Sequence, residues 1–244
     1  MLLALLEAPR AITEASTLLP ARSLLKNLPE GDGHAVMTLP GFLASDRSTR
    51  VLRRYIAEWG YDARRWEQGR NLGLSRQLDI ERLLDERLHD LFERSGDKIS
   101  LVGWSLGGLF AIEMARRNPQ YVRSVIALGS PIGNPKATNA WWLHQTLSGI
   151  DIDDEAIQQR VQTLRDPLPE VPVTAIYSNS DAIVSSDIAR LPPADNVENI
   201  GIRTSHLGMG FNPVVLYAIA DRLRQPLDEW SPFDISRARR LFYH

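Results

Sequence analysis

The sequence predicts an α/β fold, in which a mostly parallel sheet carries helices on both of its faces. Short apolar runs alternate with amphipathic stretches along most of the chain after residue 33. A strand, a helix and a second strand in succession form a parallel pair, because the helix carries the chain back across the sheet. Some of the apolar runs are nearly continuous, as over residues 122–128, which is typical of strands buried on both faces.

Turn residues set the approximate limits of these elements. An N-terminal extension over residues 1–32 is expected to form helical pieces broken at Pro9, Pro20 and Pro29. The predicted strands cover residues 34–39, 61–66, 98–102, 122–128, 171–177 and 197–202, and the predicted helices cover residues 45–59, 75–95, 109–117 and 213–223. Residues from about 131 to 170 interrupt the alternation and are predicted to form a small cap insertion over the carboxyl ends of the strands. A single domain over residues 1–244 is therefore expected.

Composition excludes several classes of protein. The 244 residues include 28 Lys and Arg against 30 Asp and Glu, a net charge of −2, so nucleic-acid binding has no electrostatic support. The chain has no cysteine, which excludes disulfides, thiolate nucleophiles and metals held by cysteine. No pattern typical of a metal site or of a phosphate-binding glycine loop occurs, so neither a metal nor a cofactor is expected.

The first six residues are apolar but the run ends at Glu7. It is too short for a signal peptide or a membrane span. We interpret it as a docking helix over about residues 2–8, ended by Pro9, with attachment to a membrane surface as the alternative. A cytoplasmic location without a transmembrane segment is expected, peripheral membrane contact is left open, and nothing indicates an oligomeric state.

The run Gly103-Trp104-Ser105-Leu106-Gly107 has the features of a nucleophile elbow. It follows an apolar strand and precedes a helix, which is the context that this motif requires. The residues two before and two after the serine must be small, so that strand and helix can approach closely. Ser105 is the predicted nucleophile; a glycine-rich turn with an incidental serine is the alternative.

A serine hydroxyl needs a base to take its proton. His206 is the predicted base, because it lies in a glycine-containing loop between the last predicted strand and the last helix. The other four histidines lie at a strand, in a helix, in the insertion and at the C-terminus: His34, His89, His144 and His244.

An acid should orient the imidazole and stabilise its cation. Asp181 is the predicted acid, because it follows the strand that ends near Tyr177. Asp187 is the competitor, but it begins a predicted short helix or turn, where N-terminal capping would explain an aspartate. The chain order Ser105, Asp181, His206 is that of a Ser-Asp-His triad in an α/β sheet protein.

Acyl transfer also needs two N–H groups aimed at the developing oxyanion. Leu106, which follows the nucleophile, is expected to supply one. The loop after the first core strand is expected to supply the other, with the Phe42 amide as first candidate and the Leu43 amide as second. The alternative is that Pro40-Gly41 only forms a turn, and the loop could do both.

Six residues are candidates for contact with substrate: Leu43, Asn71, Trp104, Trp141, Trp142 and Leu207. For Trp141 and Trp142 the alternative is packing within the core or a lid. For Asn71 the alternative is an amide that stabilises its own loop. The cluster Arg237, Arg239 and Arg240 is interpreted as a solvated surface, with contact to a partner or to anionic lipid as the alternative.

From His34 to about Pro226 the chain resembles a bacterial α/β-hydrolase of the serine esterase/lipase group. The resemblance rests on residues 40–42, 69–73, 103–108, 180–184 and 205–210. It implies the α/β-hydrolase fold, a cofactor-free Ser-His-Asp hydrolase that forms an acyl-enzyme, and a small-molecule or lipid ester as substrate. Many members have His-Gly where this chain has Pro40-Gly41, so the support of the oxyanion loop differs.

Two other functions fit the same residues. An acyltransferase or perhydrolase uses the same triad and differs only in the nucleophile that enters the acyl-enzyme. A non-catalytic binding protein can retain the same fold. A haloalkane dehalogenase does not fit, since it would need an acid where Ser105 stands.

Overall fold

A computed structural model describes residues 6–73, 79–132, 167–227, 229–236 and 240–244. These ranges contain six strands and seven helices. In chain order they are α1 (Glu7–Ser16), α2 (Leu18–Lys26), β1 (Ala35–Leu39), α3 (Arg50–Glu58), β2 (Asp62–Arg65), α4 (Ile80–Ser95), β3 (Ile99–Trp104), α5 (Leu106–Arg117), β4 (Val122–Leu128), β5 (Val173–Tyr177), α6 (Ser186–Ala189), β6 (Val197–Gly201) and α7 (Pro213–Leu223).

The six strands form one sheet in the order β2-β1-β3-β4-β5-β6, and each neighbouring pair is parallel. The prediction of a parallel α/β sheet is confirmed. The strands all point the same way, so the loops that follow them emerge at one edge of the sheet. Ser105, Ser178 and Ile202 directly follow β3, β5 and β6 at this edge.

Helices cover both faces of the sheet, as predicted. Successive side chains of a strand point to opposite faces, and β3 divides in this way: Leu101 belongs to one apolar core and Val102 to the other. The first core includes residues of α4 and α5, such as Leu84, and the second includes residues of α3 and α7, such as Ile219. A sheet with both faces buried explains why the strands are apolar almost throughout.

Two predicted breaks in the N-terminal extension are wrong. Pro9 and Pro20 are each the third residue of a helix, α1 and α2 respectively. The N–H groups of the first helical turn have no partner within the helix, so a proline there removes no hydrogen bond. Helix α1 therefore continues through Pro9 to Ser16, while residues 1–5 lie outside the described part of the chain.

The predicted insertion near residues 131–170 joins β4 to β5, and its residues 133–166 lie outside the described ranges. Trp141 and Trp142 are among them. Within the residues that the structure does describe, no helix combines the length and the apolar character needed to span a bilayer.

Candidate active site

Ser105 occupies the tight turn between β3 and α5. Its backbone has φ 53° and ψ −122°, and a positive φ is a strained conformation for a residue with a side chain. The Ser105 N–H donates to the carbonyl of Leu128 at 2.8 Å, which anchors the turn to the neighbouring strand. The strained backbone between strand and helix is the geometry of a nucleophile elbow.

The glycines around Ser105 are required by close packing. A Cβ atom added to Gly103 would lie 2.3 Å from the carbonyl oxygen of Gly107, and one added to Gly107 would lie 2.3 Å from that of Leu39. Both obstacles are backbone atoms, which cannot move aside as a side chain can. Helix α5 thus begins in direct contact with the ends of β1 and β3, and only glycine fits at these two positions.

His206 and Asp181 form a buried pair beside this turn. His206 Nδ1 lies 2.7 Å from Asp181 Oδ2, and their side chains are 6% and 1% exposed. The other carboxylate oxygen of Asp181 accepts the N–H groups of Ile183 and Val184 at 2.7 and 2.8 Å. Three hydrogen bonds therefore hold the Asp181 carboxylate and the His206 ring in a fixed arrangement, which leaves Nε2 of His206 as the nitrogen available for chemistry.

Asp187 lies elsewhere. Its side chain is 79% exposed and pairs with Arg190 at 2.8 Å, while the side chain of Ser185 caps the short helix α6 by accepting the Asp187 N–H. Of the two candidate acids, Asp181 alone contacts His206.

A tryptophan links the histidine to the elbow. The indole Nε1 of Trp104, the residue before Ser105, donates to the carbonyl of His206 at 3.1 Å. Ser105 Oγ itself makes no hydrogen bond to the His206 ring among the described contacts. In unliganded hydrolases such bonds are often long and tighten only when substrate binds. Trp104 is buried, so its described role is to hold the loop of His206 rather than to form a pocket wall.

The loop after β1 lies against the nucleophile. A Cβ atom added to Gly41 would lie 3.2 Å from Ser105 Cβ. The Leu43 N–H, the second candidate for an oxyanion donor, donates instead to the carbonyl of Asn71 at 2.7 Å. Phe42 directly precedes it in the same loop, and Leu106 lies at the first position of α5, where a backbone N–H has no intrahelical acceptor.

Asn71 holds that loop in place. Its side chain is fully buried; Nδ2 donates to the carbonyl of Pro40 at 2.8 Å, and Oδ1 accepts the N–H of Gly73 at 3.1 Å. These contacts match the loop-stabilising alternative rather than contact with substrate. Asn71 thus holds the loop at Pro40-Gly41 in place through a hydrogen bond from its side chain.

Two of the remaining candidates for substrate contact are exposed apolar side chains near the site. Leu43, with a φ of 59°, is 36% exposed, and Leu207, directly after His206, is 39% exposed. Leu43 lies in the loop after β1 and Leu207 in the loop after β6, so each adds exposed apolar surface at the edge of the sheet where the strands end.

Sequence reasoning missed a second set of residues that contact the site. Two glutamates of α1 accept hydrogen bonds from the loops of Asp181 and His206. The buried carboxylate of Glu7 accepts from both loops, and the partly buried carboxylate of Glu14 accepts from the loop of His206. The two glutamates are 175 to 200 residues away in the chain from the N–H groups that they accept, and the only local signal is their position on one face of an amphipathic helix.

A second Asp-His-Ser chain is present but buried. His34 Nδ1 binds Asp32, and His34 Nε2 lies 2.8 Å from Ser100 Oγ. Ser100 is 1% exposed and lies in the first half of β3, away from the edge that carries Ser105. Burial lowers the pKa of His34, with a smaller contribution from the Arg123 guanidinium. This chain is structural, because no substrate can reach its hydroxyl.

No group of three or more His, Asp or Glu side chains that can hold a metal occurs in the described residues.

Comparison with known proteins identifies the fold family. The model of the family described as alpha/beta hydrolase fold matches residues 22–192, a range that includes Ser105 and Asp181 and ends before His206. No curated protein matches the chain in sequence.

Several solved structures share the fold. A metagenome-derived lipolytic enzyme, from the structures of LipS and LipT, has a TM-score of 0.60 at 16% identity over 80% of this chain and 95% of its own. The mature lipase BlEst2 of Bacillus licheniformis has a TM-score of 0.61 at 18% identity, covering 81% of this chain and 95% of that one. The monoacylglycerol lipase of Paleococcus ferrophilus has a TM-score of 0.54 at 14% identity, covering 79% and 96%. The sheet order and the family match agree, and the chain belongs to the alpha/beta hydrolase fold family.

Proposed function

We propose that this chain is a serine hydrolase of carboxylic esters, in which Ser105 is the nucleophile, His206 the general base and Asp181 the acid that orients the histidine. The observation that carries the proposal is the 2.7 Å bond between His206 Nδ1 and Asp181, at the same sheet edge as a serine with positive φ. A buried carboxylate on Nδ1 fixes the tautomer in which Nε2 can accept a proton.

The reaction follows from these positions. Ser105 Oγ attacks the ester carbonyl as its proton passes to His206 Nε2, and Asp181 stabilises the imidazolium that forms. The amides of Leu106 and Phe42 donate to the oxyanion of the tetrahedral intermediate. The alcohol then leaves with the proton from His206, and water, activated by the same histidine, hydrolyses the acyl-enzyme.

The substrate class is an ester with an apolar acyl or alkyl group. Leu43 and Leu207 expose apolar surface on two loops that border Ser105, and apolar lining with a few fixed polar groups is typical of sites for such ligands. The similar structures include a lipase and a monoacylglycerol lipase by name, which agrees with this class. The mechanism needs no metal or cofactor, so dialysis against EDTA is expected to leave the rate unchanged.

A rate series over p-nitrophenyl esters of increasing acyl length tests the proposal. We expect measurable turnover, which Ser105→Ala lowers by more than about 10⁴-fold in kcat. Ser100→Ala is the matched control, since it removes the serine of the buried Asp-His-Ser chain. It is expected to keep the wild-type kcat while losing some thermal stability. Turnover that survives Ser105→Ala would refute the proposal.

Product analysis distinguishes hydrolysis from acyl transfer. With an added alcohol or hydrogen peroxide, an acyltransferase or perhydrolase partitions the acyl group mostly to that acceptor at millimolar concentration. We expect the free acid to remain the main product, since water is the nucleophile in the proposed second step.

A further inference from the structure

The first described helix, α1, lies outside the part of the chain that the family model matches, yet it is bonded to both loops of the proposed acid–base pair. We define the acid loop as residues 178–184, which carry Asp181, and the base loop as residues 203–212, which carry His206. The contacts of α1 with these loops involve three side chains, at positions 7, 10 and 14.

Glu7 joins the two loops. Its side chain is 1% exposed; Oε1 accepts the N–H of Ala182 at 3.0 Å, and Oε2 accepts the N–H of Leu207 at 3.2 Å. Ala182 directly follows Asp181, and Leu207 directly follows His206. One carboxylate therefore spans the residues immediately after the acid and the base.

Arg10 and Glu14 bind the residues on the other side. Arg10 donates to the carbonyl of Ser180 at 2.6 Å, and Glu14 Oε1 accepts the N–H of Ser205 at 2.7 Å. Ser180 directly precedes Asp181, and Ser205 directly precedes His206. Each of the four chain neighbours of the proposed acid and base is thus hydrogen-bonded to α1.

These side chains project from one face of the helix. Positions 7, 10 and 14 are spaced by three and four residues, which places them in a row on an α-helix. The two carboxylates are separated by seven residues, about 10 Å along the axis, so they reach different points of the base loop. The second oxygen of Glu14 accepts from Thr204 Oγ1 at 2.5 Å and from Asn212 Nδ2 at 3.0 Å.

These bonds offset the desolvation of the Glu7 carboxylate, which is buried, and of the Glu14 carboxylate, which is partly buried. Charge-assisted hydrogen bonds to a carboxylate are stronger than neutral ones, and an unpaired buried charge is costly. The base loop is fitted to Glu14: a Cβ atom added to Gly208 would lie 2.1 Å from Glu14 Oε2. The contact is specific, because even a methyl group on the loop would displace the carboxylate.

From these contacts we infer that α1 is a positioning element for the proposed reaction, in which Glu7 and Glu14 set the relative position of Asp181 and His206. The inference rests on the proposed function, since it assigns these two residues their roles. The loops themselves are joined by only a few other bonds, such as that from Ser178 Oγ to the carbonyl of Thr204 at 2.7 Å. A displacement of about 1 Å in a catalytic group can cost about 10²-fold in rate.

The test compares kcat and KM in full-length variants. We expect Glu7→Ala to lower kcat by about 10- to 100-fold, with a smaller change in KM, because Glu7 contacts Leu207 only through its backbone and makes no described contact with Leu43. Glu7→Gln is expected to behave similarly, since its NH2 group would face a backbone N–H donor at one of the two positions. If Glu7→Ala does not fold, kcat and KM of Glu7→Gln test the inference instead.

Two controls separate positioning from stability and charge. Leu84→Ala removes a fully buried side chain of α4, away from both loops, and is expected to lower the Tm but keep kcat per folded molecule. Glu86→Gln removes an exposed glutamate that pairs with Arg82 on the surface of α4 and is expected to change neither quantity.

A double-mutant cycle adds a readout that a purely structural role would not move. Gly208→Ala should displace the Glu14 carboxylate and lower kcat about as much as Glu14→Ala does. If so, the double variant loses little more than either single variant, because both changes act through the Glu14 carboxylate. Independent, multiplicative losses would contradict the role of Glu14.

Proton NMR tests the positioning without any substrate. The Nδ1–H proton bound to Asp181 should give a far-downfield signal, assigned by its disappearance in Asp181→Asn. We expect this signal to be lost or shifted in Glu7→Ala and kept in Leu84→Ala. The inference fails if wild-type enzyme is active and Glu7→Ala keeps both the signal and kcat within twofold. The proposed function fails separately, if wild-type protein hydrolyses no ester.

Discussion

Exchange of Asp181 for asparagine changes the proposed triad with almost no change in shape. The carboxylate accepts two backbone N–H groups with Oδ1, from Ile183 and Val184, and binds His206 Nδ1 with Oδ2. An asparagine offers one oxygen and one NH2 group, and the latter can only donate. The orientation of the new amide therefore determines the state of His206.

The two backbone donors fix that orientation. With its oxygen on Ile183 and Val184, the amide directs its NH2 group at His206 Nδ1. The reverse orientation would leave two backbone N–H groups facing a donor, at a cost of about 1–3 kcal/mol each. The first orientation is preferred, and it makes Nδ1 an acceptor, so that the proton of the neutral ring moves to Nε2. A ring in that tautomer cannot take the proton of Ser105.

We expect Asp181→Asn to lower kcat by about 10⁴-fold, equivalent to about 5 kcal/mol of lost transition-state stabilisation, with little change in KM. Steady-state hydrolysis of a p-nitrophenyl ester measures both constants. Asp187→Asn is the matched control, because Asp187 is exposed and pairs only with Arg190 among the described contacts of its side chain; its kcat is expected to stay unchanged. A loss below tenfold for Asp181→Asn, or a larger loss for Asp187→Asn, would refute the reasoning.

Three further predictions follow from packing, loop support and burial. Gly107→Ala should lower the free energy of unfolding by about 3 kcal/mol, measured by denaturant titration, because its Cβ would lie 2.3 Å from the Leu39 carbonyl oxygen. Asn71→Ala should lower the Tm and reduce kcat about tenfold, since the buried Pro40 carbonyl loses its donor and costs about 1–3 kcal/mol. Burial lowers the pKa of His34 in the folded state, so the unfolded chain binds more protons and stability falls as the pH drops below about 6.5. His34→Gln should therefore show a smaller loss of unfolding free energy between pH 7 and pH 5 than wild type.

Each of these has an outcome that contradicts it. Wild-type stability in Gly107→Ala would mean that α5 does not pack against β1 as described. Unchanged kcat in Asn71→Ala would remove the loop-supporting role of its side chain. An equal pH dependence in wild type and His34→Gln would show that His34 does not contribute to it.

The sheet could be predicted because its signals are local, and the hypothesis of a triad rests partly on such signals. Buried parallel strands are apolar runs wherever they occur, and the elbow at Ser105 is set by glycines within two residues of it. Chain order then predicts Asp181 and His206 as partners of Ser105, because loops that follow parallel strands meet at one sheet edge. The sequence favours Asp181 over Asp187, since helix capping explains an aspartate at position 187; in the structure Asp181 is hydrogen-bonded to His206 and Asp187 is paired with Arg190.

The roles of α1 and Trp104 could not be predicted in the same way, whereas the loop-stabilising interpretation of Asn71 agrees with its contacts. Glu7 meets Ala182 and Leu207 across 175 and 200 residues, and nothing in a surface helix with two glutamates distinguishes a buried carboxylate from a solvated one. The sequence predicts Trp104 to contact substrate, yet its indole Nε1 donates to the backbone carbonyl of His206. Such contacts depend on how the loops fold back onto distant parts of the chain, and this cannot be predicted from the local sequence.

The assignment of Ser105 as the nucleophile is tested most directly by fluorophosphonate labelling followed by intact-mass and peptide analysis. The predicted result is one adduct per chain, on the peptide that contains Ser105, which is absent in Ser105→Ala and retained in Ser100→Ala. The absence of an adduct on the wild-type protein, or an adduct that survives Ser105→Ala, would contradict it.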